Sequence, residues 1–159
     1  MRKERDSCTV LLVAPPCGFR ADVASGVEKL GFTLMTVSDP SEAVASFERE
    51  APDVVITDLF PPDHAGLALI QEIRNRGETC PVVVISAAEE GAMVAAAFRA
   101  GATDYVRKPI VTEELSRALN RARRMTAPRP AGVPGLLEFD WRFVLQSDPA
   151  LAEDWALWM

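Results

Sequence analysis

Asp53-Val54-Val55-Ile56-Thr57-Asp58-Leu59-Phe60-Pro61-Pro62 runs four apolar or β-branched residues straight into a carboxylate and then into a double proline. A run that is apolar at consecutive rather than alternate positions suits a strand covered on both faces, as in a parallel sheet. Proline cannot donate to a ladder, so pairing stops just after Asp58. One carboxylate therefore stands at the C-terminal end of a buried strand, where open α/β sheets place their sites. Taken alone, such a residue reads equally well as the cap of a loop.

Upstream of this stretch, Val10–Ala14 is a first buried strand, followed by the stiff, uncharged loop Ala14-Pro15-Pro16-Cys17-Gly18. Arg20–Leu30 spaces Val23, Val27 and Leu30 as a helix and ends at Gly31. Phe32–Val37 is a second strand. Ser38-Asp39-Pro40 starts a helix with Ala43, Val44 and Phe47 on its inner face, and Pro52 breaks the chain before Asp53.

Downstream, Leu67–Arg76 carries Leu67, Ile70 and Ile73 on one face and ends at Gly77. Pro81–Ser86 is the most β-branched run and predicts a central strand. Glu89–Ala100 predicts an alanine-rich helix with Met93, Ala96 and Ala97 in the core. Asp104–Arg107 is a short last strand, followed by Lys108-Pro109. Thr112 is the expected hydroxyl cap of a final helix with Glu113 and Glu114 in its first turn and Leu115, Ala118, Leu119 and Ala122 on its buried side. Strands and helices alternate five times, which predicts an α/β fold: a doubly wound five-stranded parallel sheet joined by right-handed crossovers. There is no internal repeat and no Gly-rich phosphate loop.

A chain of 159 residues with 48% hydrophobic and 25% charged content has the balance of an ordinary globule, one domain with an appendage. The formal charge of −6 argues against general affinity for nucleic acid or anionic lipid. Cys8, Cys17 and Cys80 fit no zinc or CxxC spacing, and reduced thiols in a cytoplasm are the simplest reading. The apolar run Thr9–Ala14 is too short for a signal-peptide core or a membrane span. Composition divides the chain into a domain over 8–124, a Pro/Gly linker over 125–135 and an acidic, aromatic tail over 136–159 that holds Trp141, Trp155 and Trp158. Asp148-Pro149 reads as a helix cap within that tail. The tail is too short to bury its own apolar face, so it is expected to dock on the domain, on another copy or on a partner.

From Cys8 to Arg124 the constellation resembles the receiver domain of bacterial two-component response regulators, with its flavodoxin-like (βα)5 fold. Asp58 matches the phosphoaccepting aspartate, Ser86 the hydroxyl position at the end of the fourth strand, and Ala87 the small residue beside it. Lys108 and Pro109 match the family's lysine and the proline that follows it through a cis peptide. Tyr105 stands at the aromatic that swings inward on activation, and Pro61 to Gly66 at the loop after the phosphorylation site. The resemblance implies that a lysine ammonium, a hydroxyl and a divalent cation neutralise a phosphoryl group in transfer to the aspartate. It also implies an output face formed by the fourth helix, fifth strand and fifth helix.

The chain departs from this pattern at Ala14 and Pro15, where the family holds magnesium with a pair of acids. Asp22 and Asp63, the nearest other acids in sequence, lie in a helix and a loop. One carboxylate, Asp58, then faces one ammonium, Lys108, and the pair can neutralise itself. The expectation is a direct or water-bridged Asp58–Lys108 contact, no bound metal or other cofactor, and little phosphotransfer from small donors. Retention of Asp, Ser and Lys for stability alone is the competing reading.

The functional expectation is an atypical stand-alone receiver, not an enzyme. It would work in the cytoplasm by contact with a sensor kinase or a downstream signalling protein, or with a second copy through the output face or the tail. The alternative is a working phosphoacceptor modified on Asp58 by a histidine kinase. Lower alternatives are a fragment of a transcription regulator and a nucleotide-binding enzyme of flavodoxin type. His64 reads as a surface residue in a polar loop, and Cys17 as either a small buried group or a thiol at the pocket mouth. Arg117, Arg121, Arg123 and Arg124 read as a solvated run at a helix end or as a seat for acidic groups.

Overall fold

Strand β3 (Val54–Asp58) is buried at every position, as a consecutive apolar run requires. In the computed structural model, residues 7–16, 18–60, 63–87 and 91–126 are described. Cys17, Pro61, Pro62 and everything from residue 127 onward, including the three tryptophans and Asp148-Pro149, lie outside the described residues.

The described elements are β1 (Thr9–Val13), α1 (Gly18–Lys29), β2 (Thr33–Val37), α2 (Pro40–Glu50), β3, α3 (Ala65–Asn75), β4 (Val82–Ser86), α4 (Gly91–Ala100), β5 (Asp104–Arg107) and α5 (Thr112–Thr126). The strands form one parallel sheet in the order β2-β1-β3-β4-β5. The order reverses between β1 and β3, and a doubly wound sheet opens its crevice at such a switch point, outside the carboxyl ends of the strands.

Strand parity sorts the core into two layers. Val10, Leu12, Val54, Ile56, Val83 and Ile85 face the buried sides of α1 and α5, where Val23, Val27, Leu115, Ala118, Leu119 and Ala122 meet them. Leu11, Val13, Val55, Val82 and Val84 face the other way, against Ala43 and Phe47 of α2, Leu69, Ile70 and Ile73 of α3, and Ala97 and Ala100 of α4. A sheet covered on both faces explains why β1, β3 and β4 read as unbroken apolar runs. The edge strand β2 is only partly covered, hence its mixed composition.

Boundaries shift for local reasons. Asp39 caps α2 by accepting from Ser41 N at 2.7 Å, and that bond holds its carboxyl below the ordinary aspartate range. Thr112 is not the cap of α5. Leu115 N donates to the Val111 carbonyl at 3.1 Å, so Thr112 already lies in the first turn. At its far end α5 runs through Thr126, two residues past the expected end of the domain at Arg124. Of the three residues of α4 assigned to the core, Ala97 is buried while Met93 and Ala96 are half-buried. Arg74, near the end of α3, ties together the edge of the sheet where β4 and β5 begin, opposite the crevice: its guanidinium donates to Gly101 O at 3.1 and 2.8 Å, to Glu78 O at 2.9 Å and to Cys80 O at 2.8 Å.

Cys80 is buried and its thiol points at the Asp53 carbonyl, 3.3 Å away. Burial raises the Cys8 thiol above its ordinary pKa, and the Asp53 carboxylate adds to the effect. A raised pKa leaves less thiolate at neutral pH. Iodoacetamide should therefore alkylate Cys8 more slowly in the native protein than in urea, as peptide mapping would show; equal rates would contradict this environment.

Candidate functional site

Three strand ends converge on the crevice. Asp58 is in register with Ile85, and Ser86 with Arg107, so Asp58, Ser86 and Lys108 stand a step apart on neighbouring strands. Lys108 N donates to Ser86 O at 2.9 Å, which fixes the start of the segment after β5, and the Lys108–Pro109 peptide is cis. Ala87 follows Ser86 and is exposed, while the Ser86 residue is 4% exposed.

The Asp58 carboxylate is engaged on both oxygens. Oδ1 accepts from Phe60 N at 3.2 Å and Oδ2 accepts from Lys108 Nζ at 2.6 Å. The side chains are 5% exposed for Asp58 and 21% for Lys108, so one charge is desolvated and the other half-solvated. Breaking such a pair strands a buried carboxylate, which is more costly than the pair is stabilising. The bond to Oδ1 also braces a tight turn: Phe60 sits at φ +56 and its carbonyl accepts from His64 N at 2.9 Å. A bulky residue in the left-handed region costs about 1–3 kcal/mol and persists where its surroundings hold it.

α3 starts immediately behind the carboxylate. An added Cβ at Gly66 would lie 2.1 Å from the Asp58 carbonyl oxygen, so only glycine permits this approach. His64, expected at the surface, is half-buried: it turns through φ +54 at the head of α3, and its Nδ1 is buried without a hydrogen-bond partner among the described residues.

The position beside Asp58 is apolar. Val13 is in register with Thr57, which sets Ala14 level with Asp58; Ala14 is wholly buried and Pro15 half-buried. Magnesium takes about six oxygen ligands in near-octahedral geometry and usually one or two carboxylates among them. The described residues hold no group of three or more His, Cys, Asp or Glu side chains that could bind a metal. Asp22 is exposed on α1, and Asp63 is exposed with Oδ1 turned to Ala65 N at 3.3 Å. These residues do not fit the cation that the resemblance implies.

One member of the site was not foreseen. The Lys108 ammonium lies over the Phe19 ring, 3.7 Å from its centroid. Phe19 is the second residue of α1. Helical side chains lean toward the helix N-terminus, and here that end faces the carboxyl ends of the strands. An aromatic in the first turn after the first loop was the available signal.

Tyr105 is half-buried against the layer that contains α4, and its N donates to Asp104 Oδ1 at 2.9 Å. The basic run is exposed, as a solvated run would be, and two of its members also have partners: Arg121 pairs with Asp104, donating from Nε at 2.7 Å, and Arg123 lies 5.7 Å from the Phe32 ring centroid. Phe98 on α4 and Val111 before α5 are exposed, at 46% and 47%.

An aspartate, a hydroxyl and a lysine at consecutive strand ends of a 2-1-3-4-5 sheet define a receiver-type signalling module. The response regulator receiver domain model matches residues 10–120, and the chain belongs to that family. It is 37% identical over 116 residues to the Regulator of RpoS of Escherichia coli (strain K12), covering 73% of this chain and 33% of that protein. It is 32% identical over 122 residues to the photosynthetic apparatus regulatory protein RegA of Cereibacter sphaeroides, covering 77% of this chain and 66% of the relative. The chain thus spans about a third of the length of the first of these relatives. Among solved structures, a response regulator from Thermotoga maritima superposes with a TM-score of 0.67 at 28% identity, covering 73% of this chain and 97% of that one. The receiver domain of the Francisella response regulator 1452 superposes with a TM-score of 0.70 at 22% identity, covering 76% and 100%, a likeness of fold. Receiver domains work with sensor kinases or downstream signalling proteins. No helix among the described residues is long and apolar enough to cross a membrane.

Proposed function

We propose that this receiver signals through protein contacts without magnesium-dependent phosphorylation of Asp58. The observation that carries this reading is the closed pair: Lys108 Nζ sits 2.6 Å from Asp58 Oδ2, beside a wholly buried Ala14 where the family places an acid. Phosphoryl transfer to a carboxylate needs the charge on the transferring group to be neutralised. Here the Lys108 ammonium is already engaged, and the described residues offer no group of ligands for a divalent cation. The output surface in this reading is α4, β5 and α5 around Tyr105, where Phe98 and Val111 offer apolar area to a partner or a second copy. The formal charge of −6 supports a protein rather than a nucleic acid as that partner.

A second reading is supported by Asp58, Ser86 and Lys108 keeping the register of a phosphoacceptor site. In that reading a kinase's phosphohistidine supplies phosphate directly to Asp58. Acetyl phosphate with magnesium, followed by intact mass, tests the first reading: Asp58 is expected to stay unmodified, and stoichiometric modification would overturn it. Transfer from a kinase in the presence of chelator would establish the second.

A further inference from the structure

We propose that Phe19 is the positioning residue for Lys108: its ring holds the ammonium over Asp58 and joins the first turn of α1 to the pocket. The inference deepens the metal-independent reading above, since it explains how the lysine is satisfied when the neighbouring acids are missing. An ammonium on a four-carbon stem is a mobile point charge with three donors. One contact, to Asp58 Oδ2 at 2.6 Å, leaves it free to pivot. The Phe19 ring centroid at 3.7 Å supplies a second contact, inside the range of roughly 6 Å over which a ring face attracts a cation. Two contacts from two elements, β3 and α1, fix the head group where one would not.

The chemistry suits the pocket's composition. A ring face presents partial negative charge without a formal charge. It can stabilise the ammonium in a cavity that has one carboxylate and an apolar wall at Ala14. The ring also covers one side of the ammonium, a side that water or a phosphoryl oxygen would otherwise approach. The lysine side chain is accordingly only 21% exposed, although its residue follows an edge strand.

A bland alternative is that Phe19 only packs: it rests against the layer containing Val23 and Leu115. The two roles separate in Phe19→Leu, which keeps apolar bulk and removes the ring face, and Phe19→Trp, which keeps the face. In wild-type protein labelled with 13C-lysine, the Lys108 Hε protons should be shifted upfield by the ring. Phe19→Leu should abolish that shift, and Phe19→Trp should retain or enlarge it. Reductive methylation of Lys108, mapped by mass spectrometry, should quicken roughly threefold or more in Phe19→Leu, the factor set by the weak end of cation–π energies. Lys29, exposed at the far end of α1, is the internal control. Lys108 protons at ordinary positions in the wild type overturn the proposal, as does wild-type methylation in Phe19→Leu. If Phe19→Leu does not fold, the comparison of wild type with Phe19→Trp decides through the shift alone. Acetyl phosphate modification of the same wild-type sample would refute the metal-independent reading while leaving the ring shift as it is, so the two claims fail separately.

Discussion

Gly66→Ala is expected to remove about 3 kcal/mol or more of stability and to lower Tm by upward of roughly 10 °C. Alanine is ordinarily the better helix former by about 1 kcal/mol, so propensity alone would predict the opposite sign. Collision decides between them. The new methyl would lie 2.1 Å from the Asp58 carbonyl oxygen and 2.9 Å from Leu59 Cα, both backbone atoms that cannot rotate away. The first turn of α3 has to withdraw, and the end of β3 that carries the site carboxylate moves with it. Gly91→Ala is the matched control, because a Cβ there meets nothing within 4 Å. Urea unfolding of both variants measures the difference. A Gly66→Ala protein as stable as the wild type would mean that α3 does not approach β3 in this way.

The double variant Ala14→Asp/Pro15→Asp should gain a magnesium response that the wild type lacks. Ala14 is buried level with Asp58, so an aspartate there adds a carboxylate to a pocket with a single ammonium. Without a divalent ion the variant should be less stable than the wild type, since added like charges repel and a buried charge is desolvated. With magnesium at about 100 times its Kd the variant should recover about 2.7 kcal/mol through linkage, while wild-type Tm stays unchanged. Melting curves with and without magnesium read both. Equal magnesium stabilisation of the wild type would contradict the misfit of the present donor set.

The fold was legible because its signal is redundant. Consecutive apolar runs in β1, β3 and β4, each followed by a helical spacing and a glycine or proline stop, leave little but a doubly wound sheet. The strand-end positions of Asp58, Ser86 and Lys108 were legible for the same reason, since Asp58 and Ser86 close strands and Lys108 follows one, while their roles came from the family resemblance. What escaped were features set by approach rather than by pattern. Phe19 looks like any partly buried helical aromatic until the crossover brings α1 over the ends of β3 and β5. His64 looked like a loop residue, because nothing in a sequence announces a left-handed residue at a helix head. Thr112 looked like a cap because hydroxyls usually are, yet the Val111 carbonyl starts the helix one residue sooner.

One element is attached unlike the others. Of the described residues of α4 only Ala97 and Ala100 are buried, and Met93 packs partly buried against the same layer, so the helix meets the sheet through small side chains and one methionine. Immediately after its C-terminus, Arg74 grips the Gly101 carbonyl from α3. A helix with a pinned tail and a lightly held shaft pivots more cheaply than it slides, because few apolar contacts are lost when it tilts. Tyr105 rests on the same layer. A partner that leans on α4 would therefore turn it like a lever about Gly101, at the loss of few large apolar contacts.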